Sequence, residues 1–267
     1  MLRCGLPLSD SLSEIALLVP TCRKFEPYLP LFLDLIERHW PEHPELWVVS
    51  DGEGAPGVPL LRAESPEWMP CMREALRQLR AARPNVRFVF LLLEDLAPLH
   101  RVQADVLHGA LAAAVERDLP ETVFRTFRFF HFLRSPKPPE EWGGSRFYEV
   151  DPQWRYYSQL QPSLWRLDHL FETLEAGLAL GKRSVWEFEF LNIGGPHYVH
   201  HYRWPSLING VFLGGLVNPK SLLRLPFGGP HRALVGEMWR RAAREQPRLY
   251  KTRVVGFVQR RWRRVVG

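Results

Sequence analysis

The sequence predicts an α/β fold, a Rossmann-type sheet with helices on both faces and a looser second half. Three observations carry that prediction. Val86–Leu93 (VRFVFLLL) is apolar except for Arg87 and does not alternate, so it reads as a strand buried on both faces, as in a parallel sheet covered by helices. Apolar runs alternate with helical periodicity up to about residue 118, giving βαβαβα with right-handed crossovers expected. Two carboxylates, Glu94 and Asp95, arrive where the central strand should end. Ligands of open α/β sheets bind beyond the carboxyl ends of the strands, so this pair falls where chemistry is usually done. A plainer reading, two solvated loop carboxylates, stays open at this point.

The elements follow in order. Ile15–Pro20 (IALLVP) reads as the first strand, and Thr21, Cys22 and Arg23 form the loop at its carboxyl end. From Phe25 to His39 apolar residues recur at helical spacing, and Pro41 closes the helix. Leu46–Ser50 (LWVVS) is the second strand, ending in Asp51 and Gly52. Ser65-Pro66-Glu67 places a capping residue, a first-turn proline and an acid at the start of a helix that runs to about Ala82. Val102–Arg117 is a further amphipathic helix. Beyond it, Val123–Phe132 alternates arginine with aromatic residues like a strand with one wet face, and Ser135–Gly144 is a Pro/Gly-rich loop. Tyr156–Trp165 leads into a helix over about Arg166–Glu175 with Gly177 as its stop, and Val185–Asn192 (VWEFEFLN) reads as a partly alternating strand.

Composition narrows the setting. A chain of 267 residues, 46% hydrophobic, can bury the core of one large domain. Three cysteines, Cys4, Cys22 and Cys71, without metal-ligand spacing, argue against a disulfide framework or a zinc site and fit a reducing compartment. No stretch of 18 apolar residues exists and the N-terminus does not read as a signal peptide, so a cytoplasmic protein is expected. A net charge of +6 suggests a partner bearing phosphates. At the C-terminus Arg260, Arg261, Arg263 and Arg264 surround Trp262. That segment suits a basic helix lying peripherally on anionic lipid, or equally an ordinary helix with arginines in solvent. No nucleic-acid-binding motif accompanies the arginines, and none is expected.

Read as a set, the segments LLVPTCRKFEPYLPLFLDLIERHWPEHP, LWVVSDGEG, SPEWMPCMREALRQL, FVFLLLEDL, YYSQLQPSLWRLDHL and VWEFEFL resemble, in their order, bacterial GT-A-type glycosyltransferase-like proteins of surface-polysaccharide biosynthesis. The resemblance covers roughly residues 15–216. It implies a GT-A-like single domain: a nucleotide-sugar-binding half over about 12–118, an acceptor and catalytic half over about 119–216, and a basic C-terminal region over about 217–267. It further implies a nucleotide-diphosphate sugar as donor and a glycan or lipid-linked acceptor. A divalent metal, Mn²⁺ or Mg²⁺, would offset charge on the leaving diphosphate.

The resemblance assigns roles residue by residue. Glu94 and Asp95 match the acidic metal-binding motif, although an adjacent Glu-Asp pair replaces the family's Asp-x-Asp and aims its side chains differently. Thr21 and Arg23 fall where family members contact the nucleotide, and an arginine there suits phosphate. Asp51 could reach a base or ribose, although a turn-forming Asp-Gly explains it as well. Glu187 and Glu189 match the element carrying the catalytic base of a transferase expected to invert configuration, Glu187 being the slightly favoured of the two; as strand residues they would share a face, with Trp186 opposite, and a plain solvated strand face explains them as well. Gln159, Gln161, Trp165 and Trp186 are candidates for the acceptor and sugar pocket; Trp165 could equally anchor its helix in the core. His197, His200 and His201 read as a surface or loop cluster rather than a zinc site. A second reading is a non-catalytic nucleotide- or glycan-binding partner subunit in polysaccharide assembly. A dinucleotide enzyme is disfavoured, because TCRKFEP follows the first strand where G-x-G-x-x-G would stand.

Overall fold

The computed structural model describes residues 12–125, 135, 137–154, 157–206, 212–213, 216–217 and 231–245. Nine strands form one mixed sheet in the order β3-β2-β1-β4-β8-β5-β9-β7-β6. Its first half is parallel: β1 (Ile15–Pro20) pairs with β2 (Glu45–Ser50) and with β4 (Phe88–Leu91), and β2 pairs with β3 (Leu60–Arg62). β8 (Ser163–Arg166) then runs antiparallel between β4 and β5 (Glu121–Arg125), and β5 continues parallel to β9 (His197–Arg203). β7 (Ser145–Glu149) and β6 (Glu140–Trp142) close the edge as an antiparallel hairpin.

Side chains alternate between two cores, one on each face. On β1, Ile15, Leu17 and Val19 enter the first core while Ala16 and Leu18 enter the second. β4 does the same, with Phe88 and Phe90 on one side and Val89 and Leu91 on the other. A strand this apolar has no face to offer water, and helices cover both. On the first face lie α1 (Leu29–His39), α3 (Ala104–Glu116) and, near the C-terminus, α6 (Arg232–Glu245). The second is covered by α2 (Trp68–Ala82), α4 (Leu167–Ala179) and the short α5 (Val185–Phe188). The expected Rossmann-type α/β class is therefore the one the chain adopts. Two further strands, β10 (Phe212–Leu213) and β11 (Leu216–Val217), pair with each other apart from the main sheet.

Several local expectations are corrected. Val185–Asn192 is not a strand. Ser184 accepts the Glu187 backbone N–H and Glu187 reaches back to the Ser184 N–H, a capping box that starts α5 instead. Gly177 does not stop α4 but lies within it, where a side chain would collide with Met69 and Leu191; Gly181, at φ 75°, follows the helix end. Ser65 caps no helix. It accepts the Glu67 N–H in the turn before α2. Part of the Ser135–Gly144 loop is β6. Residues 126–132 of the expected alternating strand, Tyr156 and the basic C-terminal segment lie outside the described residues. Among the described residues no helix is long and apolar enough to cross a membrane.

Candidate functional site

A cavity of about 490 Å³ opens at the carboxyl ends of β1, β2 and β4. Topology puts it there. The chain leaves β1 towards β2 on one side and returns from β3 to β4 on the other, so the loops after β1 and β4 diverge and leave a crevice between them.

Glu94 and Asp95 line this cavity from a single 3-10 turn, Glu94–Leu96, directly after β4. The turn is fixed by its backbone: Leu92 donates to Leu18 O at 3.0 Å, and Leu96 to Leu93 O at 2.9 Å. Burial, reinforced by the neighbouring Asp95 charge, pushes the Glu94 carboxyl up to about 8. Asp95 is pushed up to about 7, first by burial, with Glu189 adding and its own backbone N–H opposing. Asp95 Oδ1 is buried and has no hydrogen-bond partner among the described residues. Carboxyls that stay protonated for want of a positive neighbour are ones a cation would ionise. No three described side chains converge to hold a metal ion by themselves. Mg²⁺ or Mn²⁺ is commonly held by one or two carboxylates with substrate oxygens and water completing the shell, and Asp95 with Glu94 fits that mode.

The loops after β1 and β2 form the next wall. Thr21, Cys22 and Asp51 line the cavity, but Arg23 does not. Arg23 instead holds Asp51: its backbone N–H donates to Asp51 Oδ1 at 2.8 Å, and its guanidinium donates to the Asp51 carbonyl at 3.2 Å. Behind Asp51, Glu26 Oε1 accepts from the Ser50 hydroxyl at 2.7 Å and from Gly54 N at 2.9 Å. Burial pushes the Glu26 carboxyl up, but the Ser50 hydroxyl and the N–H groups of Gly54 and Glu53 outweigh it and hold it low. A Cβ at Gly52 would fall inside that carboxylate, so any side chain there would have to displace the Glu26 carboxyl from its bonds to Ser50 and Gly54.

α5 and the residue after it supply the opposite wall through Val185, Trp186 and Glu189. Trp186 lines the cavity and is 64% exposed. The two glutamates expected to share a face part company here. Glu187 does not line the cavity; its Oε2 accepts from the backbone N–H groups of Arg183 and Ser184 at 3.0 Å and from the Ser184 hydroxyl at 2.9 Å. Those donors, the Arg183 N–H foremost, pull it down to about 2. Such a carboxylate is a poor proton acceptor. Glu189, one residue beyond the helix, faces the cavity; Leu160 N–H donates to its Oε1 at 3.4 Å, and burial raises its pKa above the ordinary carboxylate range.

The remaining candidates lie elsewhere. Trp165 is fully buried in β8, donates to Ser163 Oγ at 2.9 Å and stacks on His169, so the core anchor is its place rather than the sugar pocket. Gln159 is buried, and Gln161 Nε2 reaches its Oε1 at 3.4 Å; neither lines the cavity. His197 and His200 are buried in β9 and only His201 is exposed, which corrects the expected surface cluster. Sequence reading missed Phe25, Trp68, Cys71, Met72 and Leu160 as lining residues. It also missed Glu121, buried at the start of β5, whose Oε2 lies 2.5 Å from His197 Nδ1. The turn signal Ser-Pro-Glu ahead of Trp68 marked the loop over the cavity, but nothing local pairs Glu121 with a histidine so far along the chain.

No protein-family model matches the sequence, and no curated protein matches it significantly. Solved structures similar to it include S. aureus TarS, a glycosyltransferase, at 16% identity over 86% of this chain and 43% of that one, with a TM-score of 0.43. The chain thus spans less than half the length of TarS. A functional reading has to rest on the cavity itself.

Proposed function

We propose that the chain is a glycosyltransferase that takes a nucleotide-diphosphate sugar as donor and a hydroxyl of a glycan or lipid-linked molecule as acceptor. One observation carries the reading: Glu189, raised by burial and open to the cavity, stands across it from the Glu94-Asp95 pair at the strand ends. In this account the diphosphate lies over Glu94 and Asp95, with Thr21 and Asp51 towards the nucleoside. Asp95 and Glu94 would hold a divalent cation, which when bound would compensate charge on the leaving diphosphate.

The Glu189 carboxylate is the proton acceptor. The acceptor oxygen bonds to the anomeric carbon as the carbon–oxygen bond to the diphosphate breaks. The bonding pair leaves with the phosphate oxygen, and the acceptor proton passes to Glu189. One displacement of this kind inverts the anomeric centre. The exposed Trp186 indole suits the apolar side of a pyranose ring, placing the acceptor next to Glu189.

A thermal-shift panel of UDP, GDP, CDP, CMP, NAD and S-adenosylmethionine, with and without Mn²⁺, tests the reading on the wild type and on Asp95→Asn. A ligand of the folded state alone raises the melting temperature by mass action. The expected result is a shift with one nucleoside diphosphate that needs Mn²⁺ and is lost in Asp95→Asn. Binding that ignores both the metal and Asp95 would favour a binding subunit without this chemistry.

A further inference from the structure

Directly behind Glu189 lies a buried chain of titratable groups that the proposed chemistry does not use. Glu121 and His197 are both completely buried, and His169 is nearly so. His197 Nδ1 lies 2.5 Å from Glu121 Oε2, and its Nε2 lies 3.0 Å from His169 Nε2. Two facing ring nitrogens can share only one proton, so one imidazole donates and the other accepts. Burial, with His197 and Arg166 adding, pushes His169 down to about 4, which makes it the neutral acceptor. His197 then donates its Nε2–H to His169, while its Nδ1 lies against both Glu121 Oε2 and the Tyr157 carbonyl.

A buried carboxyl–imidazole pair is a poor stabiliser, since desolvation cancels much of its attraction and an apolar pair would pack as well. What this one does have is a consistent set of attachments. The Tyr157 carbonyl lies 3.1 Å from His197 Nδ1, and the Tyr157 ring stacks on the imidazole at 4.1 Å. Ser158 Oγ donates to Leu191 O at 2.8 Å, just beyond Glu189. Burial raises the Glu121 carboxyl, with His197 and the Gln159 backbone N–H opposing. The next N–H, that of Leu160, is the one that holds Glu189. His169 itself sits under Gly194, in the loop leading from α5 to β9, and a side chain at Gly194 would collide with it.

We propose that Glu121, His197 and His169 are positioning residues, which fix the 157–160 segment so that the Leu160 N–H holds the Glu189 carboxylate towards the cavity. Tyr157 and Ser158 are tied to the interior, and two residues further on the Leu160 N–H holds the proton acceptor. This assignment rests on the transferase reading for its catalytic consequence but not for its geometry.

The test uses the full chain with Glu121→Gln, which keeps the shape and removes the carboxyl, and Glu121→Asp as the conservative variant. Three quantities are read: the Mn²⁺-dependent UDP thermal shift, steady-state release of UDP from UDP-glucose, and hydrogen exchange at the Leu160 amide. Folded Glu121→Gln is expected to bind UDP as the wild type does and to lose turnover about tenfold to a hundredfold with little change in KM, the scale of a misplaced reacting group. Its Leu160 amide exchanges faster by about tenfold, and Glu121→Asp recovers part of both losses. Wild-type turnover and wild-type Leu160 protection in folded Glu121→Gln would overturn the proposal. If the wild type itself turns over no UDP-glucose, the donor or transferase reading is at fault, and the Leu160 exchange still decides the positioning claim. Should Glu121→Gln not fold, His169→Phe keeps the stack on Trp165 and removes the acceptor of His197. Faster Leu160 exchange is expected there, and unchanged exchange would overturn the proposal.

Discussion

Asp95 keeps one carboxylate oxygen buried and without a hydrogen-bond partner among the described residues, and its proton affinity makes that arrangement measurable. Without a cation, the folded state holds protons on Glu94 and Asp95 up to about pH 8 and about pH 7. An unfolded chain releases them near pH 4. The folded state binds more protons between those limits, so the contribution of this pair to stability is complete below about pH 4 and is lost as pH rises through the folded values. Asp95→Asn should therefore melt higher than the wild type at pH 8 in the absence of divalent cation, with the difference gone by about pH 4. A wild type as stable as Asp95→Asn across that range would remove the reason to place a cation there. Added Mn²⁺ acts the opposite way, because it needs the ionised carboxylates; its stabilising shift should grow from pH 6 to pH 8. The position of Glu94 and Asp95 was legible because an unbroken apolar run announces where a strand ends. The choice between Glu187 and Glu189 was not. Their alternation suits a strand, and the competing signal, Ser184 three residues before Glu187, is a capping box that only becomes decisive once the helix exists.

At the level of elements, α5 and the turn after β2 shape opposite walls of the cavity. Ser184→Ala removes the hydroxyl that accepts the Glu187 N–H and should cost about 1 kcal/mol of local stability, read as faster hydrogen exchange over 185–189. A turn that keeps wild-type protection in Ser184→Ala would mean the capping box does not hold α5. Gly52→Ala forces a Cβ into the Glu26 carboxylate and should disturb the Ser50 and Gly54 bonds that hold the turn bearing Asp51. Weaker nucleotide binding is the expected result, and unchanged binding would separate Asp51 from the donor. The long helices and β1, β2 and β4 could be read from periodicity and apolar runs. β3, β6 and β10 hold two or three residues each, too few for any period to show, and β8 is contiguous with the helix that follows it.

Among the described residues, the two larger cores press on the sheet and meet at β1 and β4, and a smaller cluster of Val123, Val150, Tyr157 and Val199 lies apart from them. Phe90 is fully buried where Trp40, Phe124 and Trp204 converge on it with ring centroids at 5.2–5.6 Å. Phe90→Ala should cost about 3–5 kcal/mol, measurable by denaturant unfolding, and a cost under 1 kcal/mol would contradict this packing. The doubly wound first half was legible because each strand and helix there announces itself locally. Insertion of β8 antiparallel between β4 and β5 was not, because strand order depends on pairings between segments roughly 40 to 80 positions apart. That insertion brings the 157–160 segment, and with it the Leu160 N–H that holds Glu189, to the cavity formed by the first half. The central claim is that a sugar is transferred there with Glu189 taking the proton, and its most direct test is steady-state turnover of the donor that the binding panel identifies, compared for Glu189→Gln and Glu187→Gln. Glu189→Gln should lose about 10²- to 10⁴-fold in kcat with donor binding intact, while folded Glu187→Gln stays within a few-fold of the wild type. Retained activity in Glu189→Gln, or its loss in folded Glu187→Gln, would contradict the account.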